Sequence, residues 1–264
     1  MTSQFGSRFG PWAVVTGASA GIGAAFAREL AARGLHVVLV ARRTAELTAL
    51  GDELARSHGV QTRVLALDLG AATAAATLLQ RTADLEVGLV VAAAGFGSCG
   101  PLLEQDAEAE AAMVDVNCRA VLQLVHGFGR RLRQQRRGAL VLLSSLVAFQ
   151  GAPFAANYAA TKAYVQALAE AVQREFAAHG VQVIACAPGP VHTEFAARAR
   201  MTMGSALRPE VVARETLARL PRGGTVRPGF GRKLLGLCLA MLPRAMRVRV
   251  LGKVMAGFAQ GAAR

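Results

Sequence analysis

Tyr158 and Lys162 stand four residues apart in a segment that reads as helix, so their side chains share one face. A phenol beside an ammonium is a proton donor, because the positive charge stabilises tyrosinate and lowers the phenol's pKa from about 10 toward working pH. The chain holds two tyrosines and three lysines against 27 arginines, so a compact ammonium at this position is informative. A second kind of chemistry is suggested near the start of the chain by Gly17, Ser19, Gly21, Ile22 and Gly23. Glycines there permit a tight turn, and the backbone amides at a helix start can meet a pyrophosphate.

Elements must carry both groups. Apolar strand-like runs at Trp12 to Thr16, His36 to Ala41, Thr62 to Leu67, Val87 to Ala92, Ala139 to Ser144 and Val181 to Cys186 alternate with helical stretches near 22–33, 44–57, 71–83, 104–136 and 155–179. A short strand near Thr225 to Arg227 is expected to finish the sheet. This order predicts the α/β class, a doubly wound parallel sheet in a Rossmann-like three-layer αβα sandwich. Ligands bind such a sheet outside the carboxyl ends of its strands. Residues 1–228 are assigned to this domain, including the long segment 191–215. Residues 229–264 are expected as a basic apolar helical tail packed on it or extending it.

The chain has 264 residues, 53% of them hydrophobic and 18% charged, which excludes disorder and low-complexity polymers. The longest apolar run lies near Leu234 to Leu242, too short to cross a bilayer. The N-terminus lacks the cationic and apolar pattern of a secretory signal, so a cytoplasmic setting is expected. Cys99, Cys118, Cys186 and Cys238 are far apart and expected as buried thiols, and the five histidines are scattered, so no metal site is expected. Net charge is +13, and it is uneven: residues 216–264 hold ten basic and no acidic side chains, a net of +10. A basic apolar pair of helices broken at Pro243 could contact an anionic membrane through 229–260, or it could instead close the substrate cleft or a subunit interface. No nucleic-acid partner is expected, since the tail offers no aromatic stacking platform beyond Phe230 and Phe258. Arg130, Arg131, Arg133, Arg136 and Arg137 read as a solvated helix end.

TGASAGIG over residues 16–23 resembles the TGxxxGxG of the short-chain dehydrogenase/reductase family, and the resemblance extends to about residue 195. It implies an NAD(P)-dependent oxidoreductase. Where a carboxylate would bind a ribose 2′-hydroxyl, the second strand ends in Arg42 and Arg43; without repulsion, Arg42 could hold a 2′-phosphate and Arg43 could stack on adenine. The chain thus resembles the NADP-preferring branch, with NADP(H) expected over NAD(H), and Asp68 matches the aspartate that meets the adenine amino group. Ala92, Ala93, Ala94 and Gly95 stand where the family usually shows NNAG; Gly95 keeps the close approach, while the missing asparagines put local rigidity in question.

By the same resemblance, Ser145, 13 residues before Tyr158, is the catalytic serine in preference to Ser144, and Asn117 is the asparagine that bends a helix and holds a water. Pro188, Gly189, Val191 and Thr193 resemble the loop that lies over the nicotinamide, and the resemblance implies a mobile substrate lid over 191–215. The implied chemistry is reduction of a carbonyl or oxidation of an alcohol, with Ser145 binding the oxygen, Tyr158 moving the proton, and Lys162 stabilising tyrosinate and binding ribose. Phe96, Leu146, Val147, Phe149, Pro153, Phe154, Phe195, Met201 and Met203 are substrate-facing candidates, so a hydrophobic ketone or aldehyde is expected. The strand end Ala41-Arg42-Arg43 and the basic apolar tail resemble the branch of 3-oxoacyl reductases and hydroxysteroid dehydrogenases, which implies a 3-oxoacyl or steroid-like substrate. A homo-oligomer, dimer or tetramer, is expected from the family. A different class, a non-catalytic NADP(H)-binding sensor or regulatory protein, would keep the fold without useful turnover.

Overall fold

In a computed structural model the chain is described at residues 4–199, 206–229, 231, 239 and 241–260. Its strands are β1 (Trp12–Thr16), β2 (His36–Ala41), β3 (Thr62–Ala66), β4 (Val87–Ala92), β5 (Ala139–Leu143), β6 (Gln182–Cys186) and β7 (Gly224–Val226). All pair in parallel in the order β3-β2-β1-β4-β5-β6-β7. The helices are α1 (Gln4–Phe9), α2 (Gly21–Ala31), α3 (Thr44–His58), α4 (Ala74–Gln80), α5 (Ala107–Val114), α6 (Val121–Gln135), α7 (Ala156–Ala177), α8 (Phe195–Arg198), α9 (Pro209–Arg219) and α10 (Arg244–Gln260).

Successive strand side chains point to opposite faces, and both faces are buried, which is why these strands read as continuous apolar runs. Along β1, Ala13 and Val15 enter a core covered by α2, α3 and α9, while Val14 enters a second core covered by α4, α6 and α7. Order reverses at β1, whose neighbours β2 and β4 lead their chains away in opposite directions across the sheet. A crevice therefore opens above the carboxyl ends of β1 and β4.

Three expectations change. Residues 209–215, read with the lid, form the start of α9, whose Val212, Ala213, Thr216 and Leu217 are buried. Four inward positions on a two-turn stripe dock this helix against α2, so it belongs to the core. The arginine cluster is also less solvated than expected. Arg131 donates to the Thr82 and Leu79 carbonyls, and Arg137 donates to the Gly10 carbonyl at 2.8 Å and pairs with Glu86. Both satisfy carbonyls at element ends, a need that sequence spacing does not reveal. Finally, Cys118 is half-buried rather than buried, and Cys238 lies outside the described residues.

Candidate active site

Strand β5 ends at Leu143, and the next two serines diverge. Ser144 turns into the protein and donates to the Lys162 carbonyl at 3.2 Å, fixing the strand end to α7. Ser145 adopts extended backbone, caps the short 3-10 turn Leu146–Phe149, and lines the same cavity as Tyr158. The two hydroxyls thus separate into a structural and a site-facing role, with Ser145 in the latter.

Helix α7 presents Tyr158, Thr161 and Lys162 on one inward stripe, as spacings of three and four residues require. Lys162 lies 5.8 Å from the Tyr158 ring centroid and donates from Nζ to the Leu143 carbonyl at 2.8 Å. Burial pushes the Tyr158 hydroxyl up to about 12, against a lowering effect of the Ser145 hydroxyl. Burial likewise pushes Lys162 down to about 8. The expected lowering of the phenol's pKa by the neighbouring ammonium is not what sets it here; desolvation, which disfavours both charged forms, is. A neutral phenol at pH 7 is the form that donates a proton.

Beneath this pair lies Asn117, fully buried in a six-residue π-helical segment, Asp115–Ala120, that joins α5 to α6. Its Oδ1 accepts from the Phe96 amide at 3.2 Å, and its Nδ2 donates to the Phe96 carbonyl at 2.9 Å and to Thr161 Oγ1 at 3.0 Å. Both amide hydrogens are therefore committed to protein, and Asn117 positions the floor of the site rather than facing its opening. Replacement by leucine would leave the Phe96 amide and carbonyl without this partner, while Thr161 keeps its bond to the Tyr158 carbonyl, so Asn117→Leu is expected to destabilise the fold by about 2–4 kcal/mol. A thermal melt checks this, and an unchanged midpoint would contradict it.

The nucleotide half is built from close approaches. Gly17 and Gly21 adopt φ of +68° and +56°, and a Cβ at Gly17 would stand 2.9 Å from Ala94 and one at Gly21 2.9 Å from Thr193. Helix α2 has Ala20 at its N-cap with no side-chain cap, so its first amides are not occupied by a capping side chain. A Cβ at Gly95 would lie 2.8 Å from Asn117 Oδ1 and 3.4 Å from Lys162 Nζ, filling space next to the catalytic pair. The concern raised by Ala92 and Ala93 is met by Thr16, whose hydroxyl accepts from the Ala93 and Ala94 amides, each at 3.1 Å, and donates toward the Val91 carbonyl. It ties β1 to the end of β4 without the asparagine pair.

Arg42 and Arg43 separate in role. Arg42 has a side chain 67% exposed and meets Asp68 at 4.0 Å, while Asp68 also accepts from the Gly70 amide. Arg43 donates to Ser19 Oγ and pairs with Glu46 and, at 3.2 Å, with Glu194. The Arg43–Glu194 pair joins the end of β2 to the segment after β6 across the mouth of the cleft. Thr193 accepts from the Phe195 amide, and the Phe195 ring lies 5.3 Å from that of Tyr158.

These parts line one cavity of about 520 Å³ that includes Gly17, Ser19, Gly21, Ile22, Gly23, Arg42, Arg43, Asp68, Gly95, Ser145, Tyr158, Lys162, Pro188, Gly189, Val191 and Thr193. Of the substrate-facing candidates, Phe96, Leu146, Val147 and Phe195 line it. Phe149 is instead covered by Arg227, 4.3 Å above its ring; Pro153 packs against Gly252; and Phe154 is held at φ +65° with partial exposure. Met201 and Met203 lie outside the described residues. Of the readings of the tail, closure of the substrate cleft is the one seen: Leu251, Met255 and Phe258 of α10 pack around Tyr158, Val147 and Ala152 and face the cavity. Their spacing of four and three residues signals one apolar helix face, though not what it covers.

A family profile described as short chain dehydrogenase matches residues 11–204. The chain is 35% identical over 190 residues to the 7beta-hydroxysteroid dehydrogenase of Clostridium sardiniense, covering 72% of this chain and 73% of that protein. It is similar to a solved 7beta-hydroxysteroid dehydrogenase, with a TM-score of 0.87 and 28% identity over 94% of this chain and 99% of that one. It is also similar to a short-chain dehydrogenase from Sphingobium yanoikuyae solved in complex with NADPH, with a TM-score of 0.80 and 28% identity over 89% of this chain and 97% of that one.

Proposed function

The chain belongs to the short-chain dehydrogenase family, and from that premise we propose that it reduces an apolar ketone or aldehyde, steroid-like or 3-oxoacyl, using NADPH. The observation that carries this reading is the convergence of Ser145, Tyr158 and Lys162 on one cleft walled by Phe96, Val147, Phe195, Leu251 and Met255. An apolar wall with few polar groups orients a carbonyl by its oxygen alone.

The cradle of Gly17, Gly21, Gly23 and Gly95 fits a dinucleotide, because side chains there would occupy the space its backbone approach needs. The first amides of α2 would meet its pyrophosphate, Asp68 its adenine, and Arg42 and Arg43 a 2′-phosphate. When bound, NADPH supplies the hydride. Ser145 donates a hydrogen bond to the carbonyl oxygen and fixes its place. Tyr158 gives its proton to the same oxygen as negative charge develops there. Lys162 offsets the charge left on the phenolate, and its contact with the Leu143 carbonyl holds the ammonium in place. The apolar wall from α10 excludes water, so these interactions act at low dielectric.

Reduction requires Tyr158 protonated and Lys162 charged. Lys162 is the lower of the two at about 8, and its ammonium is lost as pH rises through that value, while Tyr158 stays protonated to about 12. The kcat/KM for reduction is therefore expected to be level from neutral pH to about 8 and to decline above it, by about tenfold per pH unit. Lys162→Arg, whose charge does not titrate, should remove that decline at reduced overall rate. A wild-type profile still flat well above pH 8 would contradict the role of the ammonium.

The free thiols of Cys99, Cys118 and Cys186 support a reducing, cytoplasmic setting. Exposed Val114, Leu122 and Tyr164 on α5, α6 and α7 support a homo-oligomer through that face. NADPH oxidation measured against ketones of graded chain length and ring content tests the substrate class. Turnover is expected to rise with apolar size; activity confined to small polar carbonyls would overturn that class.

A further inference from the structure

Helix α10 has two apolar faces, and only one belongs to the cleft. Leu251, Met255 and Phe258 point inward, and Val248 and Gly252 rest on Gly151 and Pro153. Away from the cleft Met246 and Val250 stand four residues apart and are 47% and 39% exposed, while Val254 lies at the cavity edge. Arg249 and Lys253, both exposed, stand along the same outward stripe. The face carries no carboxylate, and none occurs anywhere in residues 216–264.

We infer that this outward face of α10 docks on the surface of an anionic phospholipid membrane. Apolar side chains flanked by long cationic ones suit the boundary between acyl chains and headgroups, since the Arg249 and Lys253 stems can lie along the acyl layer while their charges reach phosphate. Charge decides among the occupants. A second copy meeting this face about a two-fold axis would bring Arg249 and Lys253 of both chains together with no acid to offset them. Nucleic acid would find the phosphate partners but no aromatic on which to stack. Among the described residues no helix is long and apolar enough to cross a membrane, so the contact is with the surface. Docking does not depend on the reaction proposed above, so either can fail without the other.

Sedimentation of the full chain with vesicles of phosphatidylcholine mixed with phosphatidylglycerol, and with vesicles of phosphatidylcholine alone, tests this. The protein is expected to pellet with the anionic vesicles and stay in solution with the neutral ones. Arg249→Gln with Lys253→Gln should weaken binding on the order of thirtyfold, and Met246→Ser with Val250→Ser on the order of tenfold. Thermal melts of both variants matching the parent would show that the losses are not losses of fold. Equal recovery in solution with both lipids overturns the inference. So does parent-like binding of the Met246→Ser, Val250→Ser variant, which would mark diffuse attraction to the basic tail. A concentration-dependent dimer abolished by Val250→Ser, without vesicle binding, would overturn it in favour of a self-interface.

Discussion

Tyr158→Phe is expected to lower kcat for ketone reduction by about three orders of magnitude while leaving NADPH affinity within about twofold. The substitution removes one oxygen from a ring already held on both sides, by Phe195 at 5.3 Å and by the α10 residues. Packing should persist, so the loss falls on proton donation alone. The carbonyl oxygen would keep the hydrogen bond from Ser145 but would have to take its proton from water, which the apolar wall keeps out. Single-turnover absorbance of NADPH separates the two effects, since binding and oxidation are read on the same sample. Retained turnover would remove the phenol from the mechanism. Loss of NADPH binding together with turnover would show instead that the ring shapes the nucleotide pocket.

Arg42→Asp is expected to shift the ratio of kcat/KM for NADPH over NADH by about a hundredfold toward NADH, from the loss of a charge-assisted contact worth about 1.5–3 kcal/mol and the repulsion of phosphate by the new carboxylate. The choice of Arg42 over Arg43 follows from their surroundings. Arg43 is engaged by Ser19, Glu46 and Glu194, whereas Arg42 is largely exposed at the cavity edge with Asp68 at 4.0 Å. Arg43→Ala should accordingly move the ratio less than Arg42→Asp does. An unchanged ratio in Arg42→Asp would transfer the phosphate to Arg43 and Ser19.

The strands were legible because a parallel sheet buried on both faces admits only apolar side chains, and β1, β2 and β4 match the expected runs end to end. The candidate site residues stood out because Tyr, Lys and Asn are rare in this chain and stand at spacings that resemble the family's. Spacing also favoured Ser145 over Ser144, and the reason became visible only in three dimensions, where Ser144 is spent on the Lys162 carbonyl. Helix α9 was hidden because the family resemblance carries 191–215 as one lid, which masks the inward stripe of Val212, Ala213, Thr216 and Leu217. The place of α10 was legible only as one of several readings, with cleft closure beside membrane contact and a subunit interface. Its periodicity marks an inward face at Leu251, Met255 and Phe258, but periodicity carries no information about which surface lies opposite. The balance between charge and burial at Tyr158 was likewise out of reach, since it depends on how completely α10 and Phe195 exclude water.

The central claim is that a hydride and the Tyr158 proton reach one carbonyl within this cleft. Turnover of an apolar ketone with NADPH deuterated at both C4 positions, followed by mass spectrometry of the alcohol, tests it most directly. The account predicts one deuterium on the former carbonyl carbon with the wild-type protein, and an alcohol yield from Tyr158→Phe lower by about three orders of magnitude. NADPH bound tightly with no alcohol formed from any ketone of the panel, or an alcohol free of deuterium, would contradict it.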